Sequence, residues 1–398
     1  MGILHTCACR TAQQFLRLKR FVTPSPKQHR EIGEDAVYQI APYLRNQKLK
    51  RPLILLSDAE QPLLLRLELS LRDSDIEYHI WNRLPTHPSA ADGENARLFY
   101  LGNNCDCIIA MGSDPVMNIA RLIALRTATP NVTIEQVLRS GRVPNVKLPP
   151  VITVPTVPGS GVESCSTAFL HPEGSRLACV VHRRLRPACI VSDPNLLDNA
   201  SREQIADACA LGLCHAFESY LSPYADRRTR FYVLRAIQYY FDTLEGVYNT
   251  GGTPGERKLL LEASVLSGQA SAAVSCGYIT ALVRAVAELT DLRPADAIGA
   301  LLPTFLVKYG NSIFNRLGRL ALFMEIGQDC GDEELTTRVI LRLRTLFFRI
   351  GLADTLDVKD TSLLSAIAYR AAAIANPRWA SPVVWTADEL YEILLASV

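Results

Sequence analysis

Residues 107–126, CIIAMGSDPVMNIARLIALR, decide the fold. The five apolar residues Cys107–Met111 read as a strand buried on both faces, because a strand with one wet face alternates apolar and polar positions. A glycine turn follows at Gly112, and from Val116 to Arg126 the apolar residues recur at helical spacing. Strand, turn and helix repeated in that order build a mainly parallel α/β sheet. The alternation continues outward on both sides. Strands are expected at Leu53–Ser57, Glu77–Trp81, Val151–Val154 and Ala188–Ser192, and helices over Asp35–Leu44, Glu60–Leu71 and Asn95–Gly102. Ligands of such sheets bind beyond the carboxyl ends of the strands. Past Asp193-Pro194 the β pattern stops. Ser201–Val398 reads as helices interrupted at Gly251-Gly252, Pro294, Gly310, Gly331 and Pro377, with Ser201 and Gln204 spaced as a capping box before the first. The expected architecture is an α/β domain with a mainly parallel sheet over 1–199 and an all-helical domain over 200–398.

The 398 residues include 42 basic and 40 acidic side chains, a formal net charge of +2, so charge points to no nucleic-acid partner. A hydrophobic fraction of 48% is enough for large cores. No run of 18 uncharged apolar residues occurs, which predicts no transmembrane helix and no membrane partner. The eleven cysteines are odd in number and contain no C-x-x-C spacing; several sit in apolar runs such as ACVV (178–181) and ACIV (188–191). That usage predicts reduced thiols and a cytoplasmic location. The first 30 residues lack the continuous apolar stretch of a secretion signal; QQFLRLKRF interleaves apolar and basic residues, as an exposed helix would.

The common chemical signatures GxxxxGK, HExxH, GxSxG and zinc-finger spacing do not occur. Two segments carry candidate chemistry. Pro155–Glu163, PTVPGSGVE, sets a Gly/Ser-rich turn after a buried strand, where backbone N–H groups can approach a phosphate; the same composition also makes an ordinary tight turn. His215 and Glu218, at i and i+3, share one helical face and could begin a metal site, although a lone helical histidine is more often structural.

Together these segments resemble the iron-dependent alcohol dehydrogenase family. PTVPGSGVES (155–164) is similar to the family's PTTAGTGSEVT, and ACIVSDP (188–194) to its strand ending in Asp-Pro. CHAFESYLS (214–222) is similar to THAIEAYIS, GERKLLLEASVLSGQA (255–270) to its AR…AS…AG helix, CGYITALVRAV (276–286) to GYVHAIAHTLG, and ALLPTFLVKYG (300–310) to its LLP…YN segment. The order and spacing cover most of the chain, from about Ile32 to Leu320. The resemblance implies an N-terminal dinucleotide-binding domain, a C-terminal helical domain holding a divalent metal, and NAD-linked oxidation of alcohols or reduction of aldehydes.

Carried over residue by residue, the implied machinery is incomplete. His215 stands at the family's first metal-binding histidine. Leu211 stands at its aspartate, Thr280 and Pro294 at later histidines, and Arg284 at a further one. None of the seven histidines follows 215. Leucine and proline cannot ligate iron or zinc, and Cys209 or Cys214 would have to help His215 from positions not four residues away. No metal is therefore expected. The family's GGGS pyrophosphate loop becomes Gly112-Ser113-Asp114-Pro115, its next aspartate Asn118, and its lysine Arg121; a second lysine position falls on Leu177. A carboxylate about 5 Å from a phosphate charge costs on the order of 3 kcal/mol at an effective dielectric near 20, so weak or no NAD binding is expected. Residues still at cofactor-binding positions are Asp58, at the family's ribose aspartate, His87, Gly112, Ser113, Thr156, Ser160 and Gly161. Asp58 as a helix cap and the PTVPGSG turn as packing account for the same residues without a ligand. The reading is a diverged relative, non-catalytic or regulatory, pairing with another copy of itself or with an active paralogue. The alternatives are the family's NAD-linked alcohol or aldehyde oxidoreductase and a repurposed protein binding a nucleotide or another small molecule.

Overall fold

The computed structural model describes residues 2–22, 26–141, 143–144, 146–170, 178–327 and 330–398. Its chain divides into two compact units. One comprises Pro24–Ser201 and Thr253–Val265, the other Met1–Thr23, Arg202–Gly252 and Leu266–Val398.

The first unit is built on the expected parallel sheet. After an N-terminal helix, α1 (Gly2–Val22), the chain runs through β1 (His29–Ile32), α2 (Ile40–Asn46), β2 (Pro52–Ser57), α3 (Leu64–Arg72), β3 (His79–Leu84), α4 (Ala90–Gly102) and β4 (Cys107–Gly112). It continues with α5 (Asp114–Ala128), α6 (Ile134–Ser140), β5 (Val151–Pro155), the pair β6 (Thr167–Leu170) and β7 (Ala178–Val181), and β8 (Cys189–Ser192). Six strands form one sheet in the order β1-β8-β5-β4-β2-β3. Every pairing in it is parallel. The apolar runs are continuous because both faces are covered. Leu53, Leu55, Ile108 and Ala110 pack with α4, α5 and α6, while Ile54, Leu56, Ile109 and Met111 pack with α2 and α3.

Two features depart from the expected strand set. β1 is an added edge strand, HREI, whose polar, half-exposed side chains hide it from a search for apolar runs. β6 and β7 form a separate antiparallel hairpin. Leu177 precedes β7 and lies outside the described residues.

The second unit is helical: α7 (Arg202–Leu221), α8 (Arg227–Thr250), α9 (Pro254–Val274), α10 (Tyr278–Leu289), α11 (Pro294–Tyr309), α12 (Phe314–Phe323), α13 (Asp332–Arg349), α14 (Leu363–Ala375) and α15 (Ala387–Leu395). No single described helix is long and apolar enough to cross a membrane. A boundary at 199/200 misplaces two segments. α1 belongs with the helices, because Gln13, 2% exposed, donates to the Trp379 carbonyl (2.9 Å) and Arg10 to that of Pro382 (2.7 Å). The opening of α9 belongs with the sheet, because Ser264 Oγ accepts from the Gly161 N–H (2.9 Å) and the Ser164 hydroxyl donates to the Val265 carbonyl (2.9 Å).

Candidate functional site

The loop at the implied pyrophosphate position, residues 112–115 and here called the nucleotide loop after that implied role, lies at the carboxyl ends of β2, β4 and β5. Gly112 ends β4 with φ +154°, a conformation open to glycine, and Ser113 precedes the first turn of α5. A helix N-terminus of this kind presents N–H groups to an anion. Here the anion is built in. Glu60 reaches back from the turn after β2, accepting from the Ser57 N–H (3.1 Å) and the Ser57 hydroxyl. Its other oxygen accepts from the Ser113 N–H at 3.4 Å. Glu60 is 6% exposed, and a Cβ at Gly112 would stand 2.9 Å from Val116 Cγ2 and 3.1 Å from Glu60 Oε1, so the glycine makes room for both this chain's own valine and its carboxylate. Pro115 has no N–H to offer. Sequence reading missed Glu60, because only the fold sets it beside a residue 53 positions away; the visible signal was its capping-box spacing from Ser57.

Asp114 is the second carboxylate. It accepts from the Ser160 hydroxyl at 2.6 Å. Desolvation pushes it up to about 6, opposed by that hydrogen bond and by Arg121. Glu163, 1% exposed, is pushed up to about 7, first by burial and then by the charge of Asp114 among its neighbours, against a hydrogen bond with Ser264. Its Oε1 has no hydrogen-bond partner. Arg121, at the implied lysine position, is committed to the backbone: it donates to the carbonyls of Thr167 (2.8 Å) and Val162 and to Asn118 (3.3 Å).

The structure brings Gly112, Ser113, Thr156, Ser160 and Gly161 to this end of the sheet. The Thr156 N–H donates to the Gly112 carbonyl at 3.2 Å, and Ser160 and Thr156 are buried. Asp58 is exposed in the first turn after β2, and Ser57 with Glu60 forms the cap there, so Asp58 is not the capping residue. His87 is exposed before α4, whose cap is Ser89 with Asp92. The residues present do not fit a dinucleotide pyrophosphate: one loop amide is occupied, one is absent, and two carboxylates replace open backbone.

The implied metal positions lie in the helical unit. His215 is 7% exposed on α7. Glu218, on the same helix, does not face a metal with it. Its carboxylate accepts from the Gly277 N–H (2.8 Å), the Thr280 N–H (3.0 Å) and the Thr280 hydroxyl (2.6 Å), and so caps α10 from outside. Burial raises Glu218, and these hydrogen bonds oppose the rise. Thr280 is thus spent on a helix start, the electropositive end of α10. Pro294 is exposed at the first position of α11, where a missing N–H costs nothing. The Arg284 guanidinium lies 6.0 Å over the Trp379 ring. Burial, and next the Glu218 charge, push the Cys214 thiol well up, away from the thiolate a metal requires. Among the described residues no three His, Cys, Asp or Glu side chains are grouped to hold an ion. Leucine, threonine and proline at the implied positions do not fit iron.

Residues 28–194 match the family profile described as Iron-containing alcohol dehydrogenase, and residues 206–398 match Fe-containing alcohol dehydrogenase family, C-terminal. Alcohol dehydrogenase 4 of Saccharomyces cerevisiae is 22% identical over 371 residues, 91% of this chain and 95% of the relative. A crystal structure of 1,3-propanediol oxidoreductase superposes with a TM-score of 0.85 at 20% identity, covering 94% of this chain and 98% of the other. Sulfoacetaldehyde reductase from Bifidobacterium kashiwanohense, solved in complex with NAD+, gives a TM-score of 0.82 at 17% identity over 94% and 97% of the two chains. The two family matches together run through sheet and helices alike, and the chain belongs to the iron-containing alcohol dehydrogenase family.

Proposed function

We propose that this chain is a non-catalytic, regulatory member of its family, acting in the cytoplasm through assembly with another copy of itself or with an active relative. The observation that supports this most is the pair of carboxylates on the nucleotide loop, Glu60 on the Ser113 N–H and Asp114 on Ser160. A phosphate would have to displace the first and lie beside the second, and like charge at that distance opposes binding strongly. Thr280 and Pro294, engaged in starting α10 and α11, support the loss of metal binding. The cytoplasmic assignment is supported by the eleven cysteines, all within the described residues and none joined in a disulfide. A second reading, NAD-linked alcohol or aldehyde chemistry, is favoured by the retained Thr156, Ser160 and Gly161 and by the relative solved with NAD+. Elemental analysis of the purified chain, with an aldehyde-reduction assay using added Fe2+ or Zn2+, separates the two. Substoichiometric metal and no turnover are expected. About one metal ion per chain, lost on His215→Ala, together with an ordinary enzymatic rate would overturn the proposal.

A further inference from the structure

At the amino ends of β5 and β8 lies a cavity of about 190 Å³ whose lining includes Lys27, Arg121, Lys147, Arg184 and Arg186 and, among the described residues, no acidic side chain. Some basic groups of this unit meet carboxylates: Arg97 and Arg126 share Glu94, and Arg257 meets Asp198. Arg186 is different. It donates to the Pro26 carbonyl at 3.4 Å, and its buried Nε–H has no partner. Burial and then the neighbouring Arg30 lower its proton affinity, and no carboxylate offsets them. Arg121 is 1% exposed, and beyond the bonds that hold residues 162–167 its Nε–H also has no partner. The Arg121 charge has the buried carboxylates Asp114 and Glu163 within reach, whereas none offsets Arg186, and an unmatched buried guanidinium is costly.

We propose that this cavity binds a small phosphate-bearing anion, either inorganic phosphate or a compact phosphate monoester. Guanidinium groups suit phosphate oxygens through their paired donors, and the exposed Lys27 and Lys147 add charge at the rim. The volume is below the roughly 300 Å³ of pockets for larger organic ligands, which favours a compact anion over a dinucleotide. The place is at the other end of the sheet from the nucleotide loop, although Arg121, which lines it, stands at an implied cofactor position: Val151 and Ala188 line the cavity at the amino side of the sheet, whereas Gly112 and Pro155 end their strands at the carboxyl side. The site therefore does not depend on whether the chain is catalytic.

Calorimetric titration of the full chain with inorganic phosphate, and separately with glycerol phosphate, tests this. One site per chain is expected for at least one probe, weakened by added salt, and the tighter probe identifies the source of the phosphate. Arg186→Gln and the pair Lys27→Gln with Lys147→Gln should each weaken binding on the order of tenfold or more. The lysine pair is exposed and keeps the test valid should Arg186→Gln fail to fold. Absence of binding at millimolar concentrations of both probes, or affinity unchanged in the lysine pair, overturns the proposal.

Discussion

Glu60 and Asp114 are two carboxylates at a strand-to-helix turn where a phosphate would need open backbone, and they act differently. Glu60 holds the Ser113 amide directly, whereas Asp114 adds charge beside it while bonded to Ser160. Removing Asp114 alone therefore leaves the amide occupied. Asp114→Gly should improve nucleotide affinity only on the order of tenfold, and Glu60→Ala with Asp114→Gly on the order of a hundredfold or more, read by calorimetry with ADP-ribose. Equal affinities of the single and double variants would remove Glu60 from the account. Glu163 makes a separate prediction about stability. Its ordinary value of 4.5 rises to about 7 in the folded chain. Between those values the native state holds a proton that the unfolded chain has released, so native stability falls as pH rises through that interval. Above about 7 the charged form costs on the order of 3 kcal/mol at most. Unfolding curves of wild type and Glu163→Gln should therefore diverge in the variant's favour between pH 4.5 and 7. Parallel curves across that range would contradict the burial of an ionising group.

At the scale of elements, the start of α10 shows how Thr280, at an implied metal position, serves the fold. Gly277 gives α10 no side-chain cap, and Glu218 of α7 supplies the acceptor instead. A Cβ at Gly277 would lie 2.7 Å from Glu218 Oε1 and 2.9 Å from its carboxyl carbon. Gly277→Ala should displace the carboxylate and destabilise the chain by about 1–3 kcal/mol in urea unfolding, whereas Thr280→Ser, which keeps the hydroxyl, should be near neutral. A neutral Gly277→Ala would show that the cap carries little weight. The elements themselves were largely legible in the sequence, because the doubly covered strands β2, β4, β5 and β8 leave continuous apolar runs. β1 was not, since its His, Arg and Glu side chains carry no apolar signal at the sheet edge. At the site, Asp114 stood out because it breaks a glycine loop. Glu60 and the Glu218–Thr280 link did not, because their partners lie 53 and 62 positions away and meet only through tertiary structure.

At the scale of the whole molecule, the family's architecture runs from the parallel sheet to the last helices, and several groups at or beside its implied chemical positions hold the fold together. Arg121 ties down residues 162–167, Glu218 starts α10, Pro294 opens α11, and Glu60 closes the turn between β2 and α3 onto β4. A sequence can keep the hydrophobic pattern that specifies a fold while its polar groups are reassigned, since burial and chemistry draw on different side chains. The central claim is that the nucleotide loop is occupied by the chain's own carboxylates. Calorimetric titration of the wild-type chain with NADH tests it most directly. The account predicts no saturable heat, or a dissociation constant in the millimolar range; one-site binding in the low micromolar range would contradict it.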